Sequence, residues 1–325
     1  MKGSYQIIVR NARLQYKFTI ERNITIIKGD SATGKTTLVE MIASYQRNHE
    51  NSGITVNCEK TCVVLAPDTW RVVLPTIMDS IVFIDEGDPF VASREFAEMI
   101  EGSDNYYVIV TRAPLFNLPY SSEEVYEIKN TTRKKYEGAR RLYSKFYPLY
   151  SLEPDVIKDP DCIIVEDSNA GYDFFSSVCK DLGITCISAM GKSNVYKTAK
   201  NAIEENILVI ADGAAFGPEI ERVLSLRRTR RVMIYLPESF EWLVLKSDLL
   251  NDKDVRDILA DPSGFIDGAE YFSWERYFTM LLQEKSRNSA YLQYTKRKLN
   301  KTFLQSHEKA AILNVMPEIR KTERK

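Results

Sequence analysis

Short hydrophobic segments separated by polar residues run along the first 130 residues of the chain. Leu14, Tyr16, Phe18 and Ile20 alternate with polar residues, which is the period of a half-buried strand. Helical spacing of apolar residues begins at Leu38 and predicts a helix. Short segments rich in apolar residues predict further strands at 7–9, 23–27, 81–84, 106–110 and 124–128.

A second series of apolar runs begins at Cys162. It predicts strands at 162–165, 184–187, 207–211 and 231–235, with helical patterns between them. Strands that alternate with helices favour a parallel sheet, so the expected class is α/β. From about residue 240 the pattern becomes helical, and we expect Trp274 and Phe278 to lie in the core.

The length and the prolines divide these two series into domains. A chain of 325 residues suits two domains of ordinary size. Pro148, Pro154 and Pro160 lie close together, as they do at a domain boundary. We therefore predict a first domain at 1–147, a linker at 148–160, a second α/β domain at 161–240 and a helical region at 241–325.

Composition excludes several classes of protein. Hydrophobic residues make up 44% and charged residues 27%, which rules out a disordered or fibrous chain. Two histidines leave little basis for a His-rich metal site or a Ser/His/Asp triad. Five scattered cysteines fit a reduced compartment, so we expect a cytoplasmic protein. No apolar run is long enough to span a bilayer, and no membrane partner is expected.

A glycine-rich segment between the third strand and the first helix fits the pattern G-x-x-x-x-G-K-[ST]. Its glycines allow successive backbone N–H groups to point at one phosphate group, and the following helix adds its positive end. Lys35 would reach the β- and γ-phosphates, and the Thr36 hydroxyl would hold Mg²⁺. The predicted ligands are ATP and Mg²⁺, and the predicted binding residues are Gly29, Asp30, Ser31, Ala32, Thr33, Gly34, Lys35, Thr36 and Thr37.

Two later strands end in polar residues that complete such a site. Asp85 and Glu86 follow the strand at 81–84. Asp85 would support Mg²⁺ and Glu86 would position the attacking water, so Glu86 and Lys35 are the predicted catalytic residues. Arg112 follows the strand at 106–110 and is either a sensor of the γ-phosphate or a surface arginine.

Residues 5–130 resemble a compact ABC-type ATPase core, on the evidence of the segments 29–37 and 81–86. The resemblance implies a phosphate-loop NTPase domain with antiparallel N-terminal strands. No L-S-G-G-Q signature lies between residues 38 and 80, so head-to-tail ATP sandwiching is not implied. A second copy of the chain remains a possible partner, in a homodimer.

Acidic residues also end two strands of the second domain. Glu166 follows the strand at 162–165, and Asp212 follows the strand at 207–211. Because parallel strands end at one edge of a sheet, these carboxylates could share a divalent metal ion. Carboxylates that cap helices are the structural alternative.

The second domain resembles a Toprim domain, and the order of the two domains resembles the overcoming-lysogenization-defect ATPase-nuclease family. That resemblance implies Mg²⁺ held by Glu166 and by an Asp-x-Asp pair. Here the pair is Asp212-Gly213-Ala214, so one carboxylate is missing and we expect a degenerate domain without nuclease activity. A phospho-receiver domain is the alternative, with Glu166 and Asp167 holding Mg²⁺ and Asp212 accepting phosphate.

The predicted function is a Mg²⁺-dependent ATPase that acts with or on nucleic acid, with phage defence or mobile-element biology implied by resemblance alone. Nine Lys and Arg residues from residue 291 onward, interleaved with Tyr291, Tyr294 and Phe303, form a basic region that could bind phosphates. A second basic patch lies at 133–135 and 140–141. The alternative function is a nucleotide-gated binding module with little turnover.

Overall fold

The chain is described as a computed structural model covering residues 1–30, 33–132, 142–150 and 156–320. It divides into two compact units. The first unit contains Met1–Tyr150 and Asp261–Ser273, and the second contains Ser151–Ala260 and Trp274–Lys325. Ser31, Ala32, the basic patch at 133–141 and residues 321–325 lie outside the described residues.

The first unit is built on one mixed sheet of nine strands in the order β4-β1-β2-β9-β8-β3-β7-β6-β5. The strands are β1 (Tyr5–Arg10), β2 (Leu14–Ile20), β3 (Ile24–Lys28), β4 (Thr55–Asn57), β5 (Thr61–Val64), β6 (Ser80–Ile84), β7 (Tyr106–Val110), β8 (Val125–Thr132) and β9 (Leu142–Pro148). Strands β3, β6 and β7 are buried along their whole length, which explains their largely apolar sequences.

In the described part of the first unit, three helices accompany this sheet, namely α1 (Lys35–Asn48), α2 (Trp70–Val73) and α3 (Arg94–Ile100). Helix α1 buries Leu38, Val39, Met41 and Ile42 and contacts β1, β4 and β5. Strands β4 and β5 form opposite edges of the sheet, yet only residues 58–60 separate them in sequence. The sheet therefore curves around α1.

Strand direction decides which ends of the sheet meet. Strands β5, β6, β7, β3 and β8 pair in parallel, whereas β1 pairs antiparallel with both β2 and β4. Strand β7 lies between β3 and β6, so all three end at the same edge. The segments after β3, β6 and β7 are the three that carry the predicted nucleotide site.

A buried acid in this unit gives a test of the packing. The carboxylate of Glu124 accepts a hydrogen bond from the Thr25 hydroxyl at 2.9 Å and lies 3.7 Å from Nε of Arg22. Burial raises its pKa to about 7, although Arg22 acts in the opposite direction. The folded state therefore binds this proton more tightly than the unfolded state does, so its contribution to stability falls as pH rises from about 4.5 through about 7.

Glu124→Gln is expected to remove that dependence. The melting temperature of the variant, measured relative to that of the original chain, should rise between pH 5 and pH 8, because the amide does not ionise. Thermal unfolding followed by circular dichroism across this range measures the difference. A constant difference would show that Glu124 stays ionised throughout.

The second unit contains a four-stranded parallel sheet in the order β12-β11-β13-β14. A two-stranded parallel sheet pairs β10 with β15. The strands are β10 (Val156–Lys158), β11 (Cys162–Val165), β12 (Thr185–Ser188), β13 (Asn206–Ile210), β14 (Arg231–Tyr235) and β15 (Glu318–Arg320). The prediction of an α/β fold is confirmed.

Seven helices lie in the described part of this unit. They are α4 (Ala170–Leu182), α5 (Lys192–Asn201), α6 (Ile220–Ser225), α7 (Phe240–Lys246), α8 (Lys253–Ala260), α9 (Trp274–Ser286) and α10 (Ser306–Leu313). Trp274 and Phe278 are buried on α9, as the helical spacing predicts. Among the described residues, no helix combines the length and the apolar character that crossing a membrane requires.

Candidate functional site

The glycine-rich loop, residues 29–37, joins the end of β3 to the start of α1. Gly34 immediately precedes α1 and has φ +93°, a left-handed conformation that favours glycine. Its carbonyl accepts a hydrogen bond of 2.9 Å from the hydroxyl of Tyr16 on β2. A Cβ at Gly34 would lie 2.7 Å from that hydroxyl oxygen, so the position admits no larger side chain without movement.

Lys35 is the first residue of α1, and its side chain folds back over the loop. Its ammonium donates to the carbonyls of Gly29 at 2.7 Å and Asp30 at 2.6 Å, and to the Thr33 hydroxyl at 3.3 Å. These partners are neutral oxygens. The lysine therefore brings a positive charge to the loop that the three contacts do not neutralise.

An open cavity of about 230 Å³ adjoins the loop. Its walls include residues from the glycine-rich loop and from the segments after β6 and β7. They are Thr33, Gly34, Lys35, Thr36, Thr37, Glu86 and Arg112. Five predicted nucleotide-binding residues and the predicted catalytic glutamate thus line one cavity.

The acidic strand end supplies two carboxylates with different surroundings. Glu86 forms an ion pair with Nε of Arg112. The carboxylate of Asp85 accepts a hydrogen bond from the backbone N–H of Glu86 at 2.8 Å, and Asp85 does not line the cavity. The role of Asp85 as a Mg²⁺ ligand stays a prediction.

The charges around this cavity suit a polyanionic ligand. Lys35 and Arg112 contribute cations, and the first turn of the 14-residue helix α1 contributes unpaired backbone N–H groups. Thr36 is exposed and offers a hydroxyl, while Glu86 offers a carboxylate beside the cavity. A hydroxyl, a carboxylate and phosphate oxygens are the hard ligands that Mg²⁺ prefers.

The predicted acidic pair of the second unit also comes together. Strands β11 and β13 are neighbours, and the Glu166 carboxylate accepts a hydrogen bond from the backbone N–H of Asp212 at 2.9 Å. Burial raises the pKa of Glu166 to about 7, while Lys192 acts in the opposite direction. Burial also raises the pKa of Asp212, and the carboxylates of Glu275 and Glu166 add to that effect.

Asp167, the neighbour of Glu166, caps a helix. Its carboxylate accepts hydrogen bonds from the backbone N–H groups of Asn169, Gly171 and Tyr172, at the start of α4. The cavity beside it measures about 20 Å³, which is room for about one water molecule. These contacts favour helix capping as the role of Asp167 over the binding of Mg²⁺ that the phospho-receiver alternative assigns to it.

The basic C-terminal region is less available to phosphates than its sequence suggests. Tyr294 and Phe303 are buried in the core, so they offer no stacking surface. Lys309 donates to Asp181 at 2.6 Å, and Lys296 donates to Glu275 at 2.7 Å. The remaining described cations of the region are exposed, namely Arg297, Lys298, Lys301 and Arg320.

Several site residues escape sequence analysis. Tyr16 is a member of an alternating strand, and nothing in that pattern indicates that it holds the glycine-rich loop. Glu241 and Glu275 lie in helical segments and Lys296 in the basic region, so their closeness to Asp212 is visible only in three dimensions. Glu241 and Glu275 each lie in the first turn of a helix, and this is the one sequence signal that could have drawn attention to them.

Comparison of the chain with protein-family models, with curated proteins and with solved structures finds no match.

Proposed function

We propose that the protein binds ATP in the first unit and hydrolyses it with Mg²⁺. The observation that carries this proposal is the cavity at the end of β3, β6 and β7, where the glycine-rich loop, Glu86 and Arg112 meet. A phosphate group placed there would face the start of α1 and the ammonium of Lys35.

Each side chain has a role in the proposed reaction. Lys35 and the loop N–H groups bind the phosphates, and Arg112 adds a second cation. Thr36 and Asp85 would hold Mg²⁺. When bound, this ion would neutralise negative charge on the phosphate oxygens. Glu86 orients the attacking water, which first requires that its carboxylate leave the ion pair with Arg112.

The fold adds support to the proposed class of phosphate-loop NTPase with ABC-like N-terminal strands. The antiparallel strands β1, β2 and β4 join the parallel strands in one sheet that curves around α1. Ligands of parallel sheets bind beyond the carboxyl ends of the strands, and the cavity lies there. The proposal includes a homodimer only because ABC-type ATPases, which the sequence resembles, work as dimers.

For the second unit we propose a Toprim-like domain without nuclease activity, in a protein related to the overcoming-lysogenization-defect family. The parallel sheet and the meeting of Glu166 with Asp212 support the likeness. Ala214 stands where the third carboxylate is expected, and it is 2% exposed. Nucleic acid is the proposed partner, through exposed cations such as Arg297 and Lys301.

A nucleotide-gated binding module is the second candidate, and the ion pair of Glu86 with Arg112 favours it, because a paired glutamate does not orient water. Calorimetry with ATP and Mg²⁺ tests binding, which both candidates require. Turnover of ATP with and without DNA or RNA separates them. We expect turnover that nucleic acid stimulates; binding without turnover in either case would favour the gated module.

A further inference from the structure

Four carboxylates surround the carboxyl ends of β11 and β13. Glu166 and Asp212 follow the two strands, Glu241 lies in the first turn of α7, and Glu275 lies in the first turn of α9. Glu275, Glu166 and Glu241 each act electrostatically on Asp212, and so does Asp167. Carboxylates this close repel one another when ionised, and a nearby cation offsets that repulsion; a divalent metal ion is one candidate for that cation.

A divalent cation does not fit these carboxylates as they are arranged. Glu166 accepts the N–H of Asp212 at 2.9 Å, Glu241 accepts the hydroxyl of Tyr294 at 2.7 Å, and Glu275 accepts the ammonium of Lys296 at 2.7 Å. Among the described residues, no group of three or more Asp, Glu, His or Cys side chains could hold a metal ion. Mg²⁺ needs about six oxygens at close range, which this set does not present.

Lys296 supplies a positive charge to the same cluster. Its side chain is 40% exposed, and its ammonium interacts with Glu275, Glu241 and Asp212. Burial alone would lower the pKa of Lys296, but the carboxylates of Glu275 and Glu241 raise it above the ordinary value. The lysine therefore stays charged at neutral pH.

The backbone around Lys296 is anchored to the same edge of the sheet. Its carbonyl accepts a hydrogen bond of 3.2 Å from the N–H of Ala170, the first residue of α4. The N–H of Leu299 donates to the carboxylate of Asp173 on the same helix, also at 3.2 Å. Buried Tyr294 completes the anchorage through Glu241. The loop thus holds the ammonium at the cluster instead of leaving it in solvent.

We propose that Lys296 is the internal counter-ion of this acidic cluster, in place of a divalent cation, and that the second unit is a metal-independent module. An ammonium offers three hydrogen-bond donors and one charge, and it cannot activate water as a bound metal ion does. The inference concerns the second unit alone and does not depend on ATP binding in the first.

The test is thermal unfolding of the full chain without nucleotide, in EDTA or with added Mg²⁺ or Mn²⁺. The original chain should melt at the same temperature in all three conditions. Lys296→Met should lower the melting temperature by about 3 °C, because it leaves partly buried carboxylates without a counter-ion. Lys298→Met is the matched control, since Lys298 is exposed two residues away.

A charge-compensated variant keeps the test decisive if Lys296→Met does not fold. Lys296→Met/Glu275→Gln removes one charge of each sign, so it should fold and melt closer to the original chain than Lys296→Met does. Failure of this recovery would overturn the proposal, as would a Lys296→Met variant that behaves like Lys298→Met. Stabilisation of the original chain by Mg²⁺ or Mn²⁺, lost in Asp212→Asn, would show that the cluster is a metal site.

Discussion

Lys35→Met is expected to weaken ATP binding by at least tenfold, which corresponds to about 1.4 kcal/mol. The ammonium of Lys35 contacts three neutral oxygens of the glycine-rich loop, so its charge remains available to an anion. Lys35 is only 4% exposed, and methionine fills a similar volume without the charge. The loss should therefore come from electrostatics and leave the packing of α1 intact. Isothermal titration calorimetry with ATP and Mg²⁺ measures the affinity.

Lys17→Met is the control for Lys35→Met. Lys17 is an exposed residue of β2 in the same unit and does not line the cavity. The Lys17→Met variant should bind ATP with the affinity of the original chain. Both Lys17→Met and Lys35→Met should melt near the temperature of the original chain. Equal ATP affinity in Lys35→Met and the original chain would remove the glycine-rich loop as a phosphate site and, with it, the proposed function.

Glu86→Gln is expected to leave ATP binding in place and to reduce hydrolysis by at least tenfold, about 1.4 kcal/mol in the activation free energy. Glutamine keeps the shape of the side chain but cannot polarise water as a carboxylate does. The substitution also removes the negative charge that pairs with Arg112 and would repel phosphate, so ATP affinity should stay equal or increase. Single-turnover hydrolysis and calorimetry on the same preparation give both quantities.

A second Arg–Glu pair in the first unit provides the control for Glu86→Gln. Glu95 accepts hydrogen bonds from Nε and Nη2 of Arg71, both at 2.7 Å, away from the cavity walls. Glu95→Gln breaks this pair and should hydrolyse ATP at the original rate. If Glu86→Gln also hydrolyses ATP at that rate, Glu86 has a structural role in pairing with Arg112.

The sequence predicts most of the buried strands because their residues are largely apolar. Strands β3, β6, β7, β11 and β13 lie close to the predicted segments. Strands β4 and β5 are three and four residues long and partly exposed, so they carry no clear pattern. Strand β9 lies at 142–148 and ends at the first residue of the predicted linker. It pairs with the preceding strand β8 and with β2, which lies more than 120 residues earlier in the chain, so its local sequence does not reveal both partners.

The candidate sites divide in the same way. The glycine-rich loop is a local motif, and the cavity walls contain the predicted loop residues and Glu86. Parallel pairing predicted that Glu166 and Asp212 would meet, since the ends of neighbouring strands coincide. In the sequence, Lys296 is one of the cations of the basic C-terminal region. A cluster of basic residues in sequence does not show which of them forms an ion pair inside the fold. Only the fold brings Lys296 to Glu275.

The return of the chain to the first unit at Asp261–Ser273 has a consequence for synthesis on the ribosome. In this segment the N–H of Gly268 donates a hydrogen bond to the Met1 carbonyl, and the Ser263 carbonyl accepts one from the N–H of Gly3. The Phe272 carbonyl accepts a hydrogen bond from the Asn23 side chain, and the Phe272 ring is buried in the core of the first unit. The first unit therefore cannot finish folding when residue 150 emerges. At ordinary translation speeds it waits on the order of 10 s for its closing segment. During that interval the nascent chain exposes the apolar surface that Phe272 later covers, and a holding chaperone would find its binding site there.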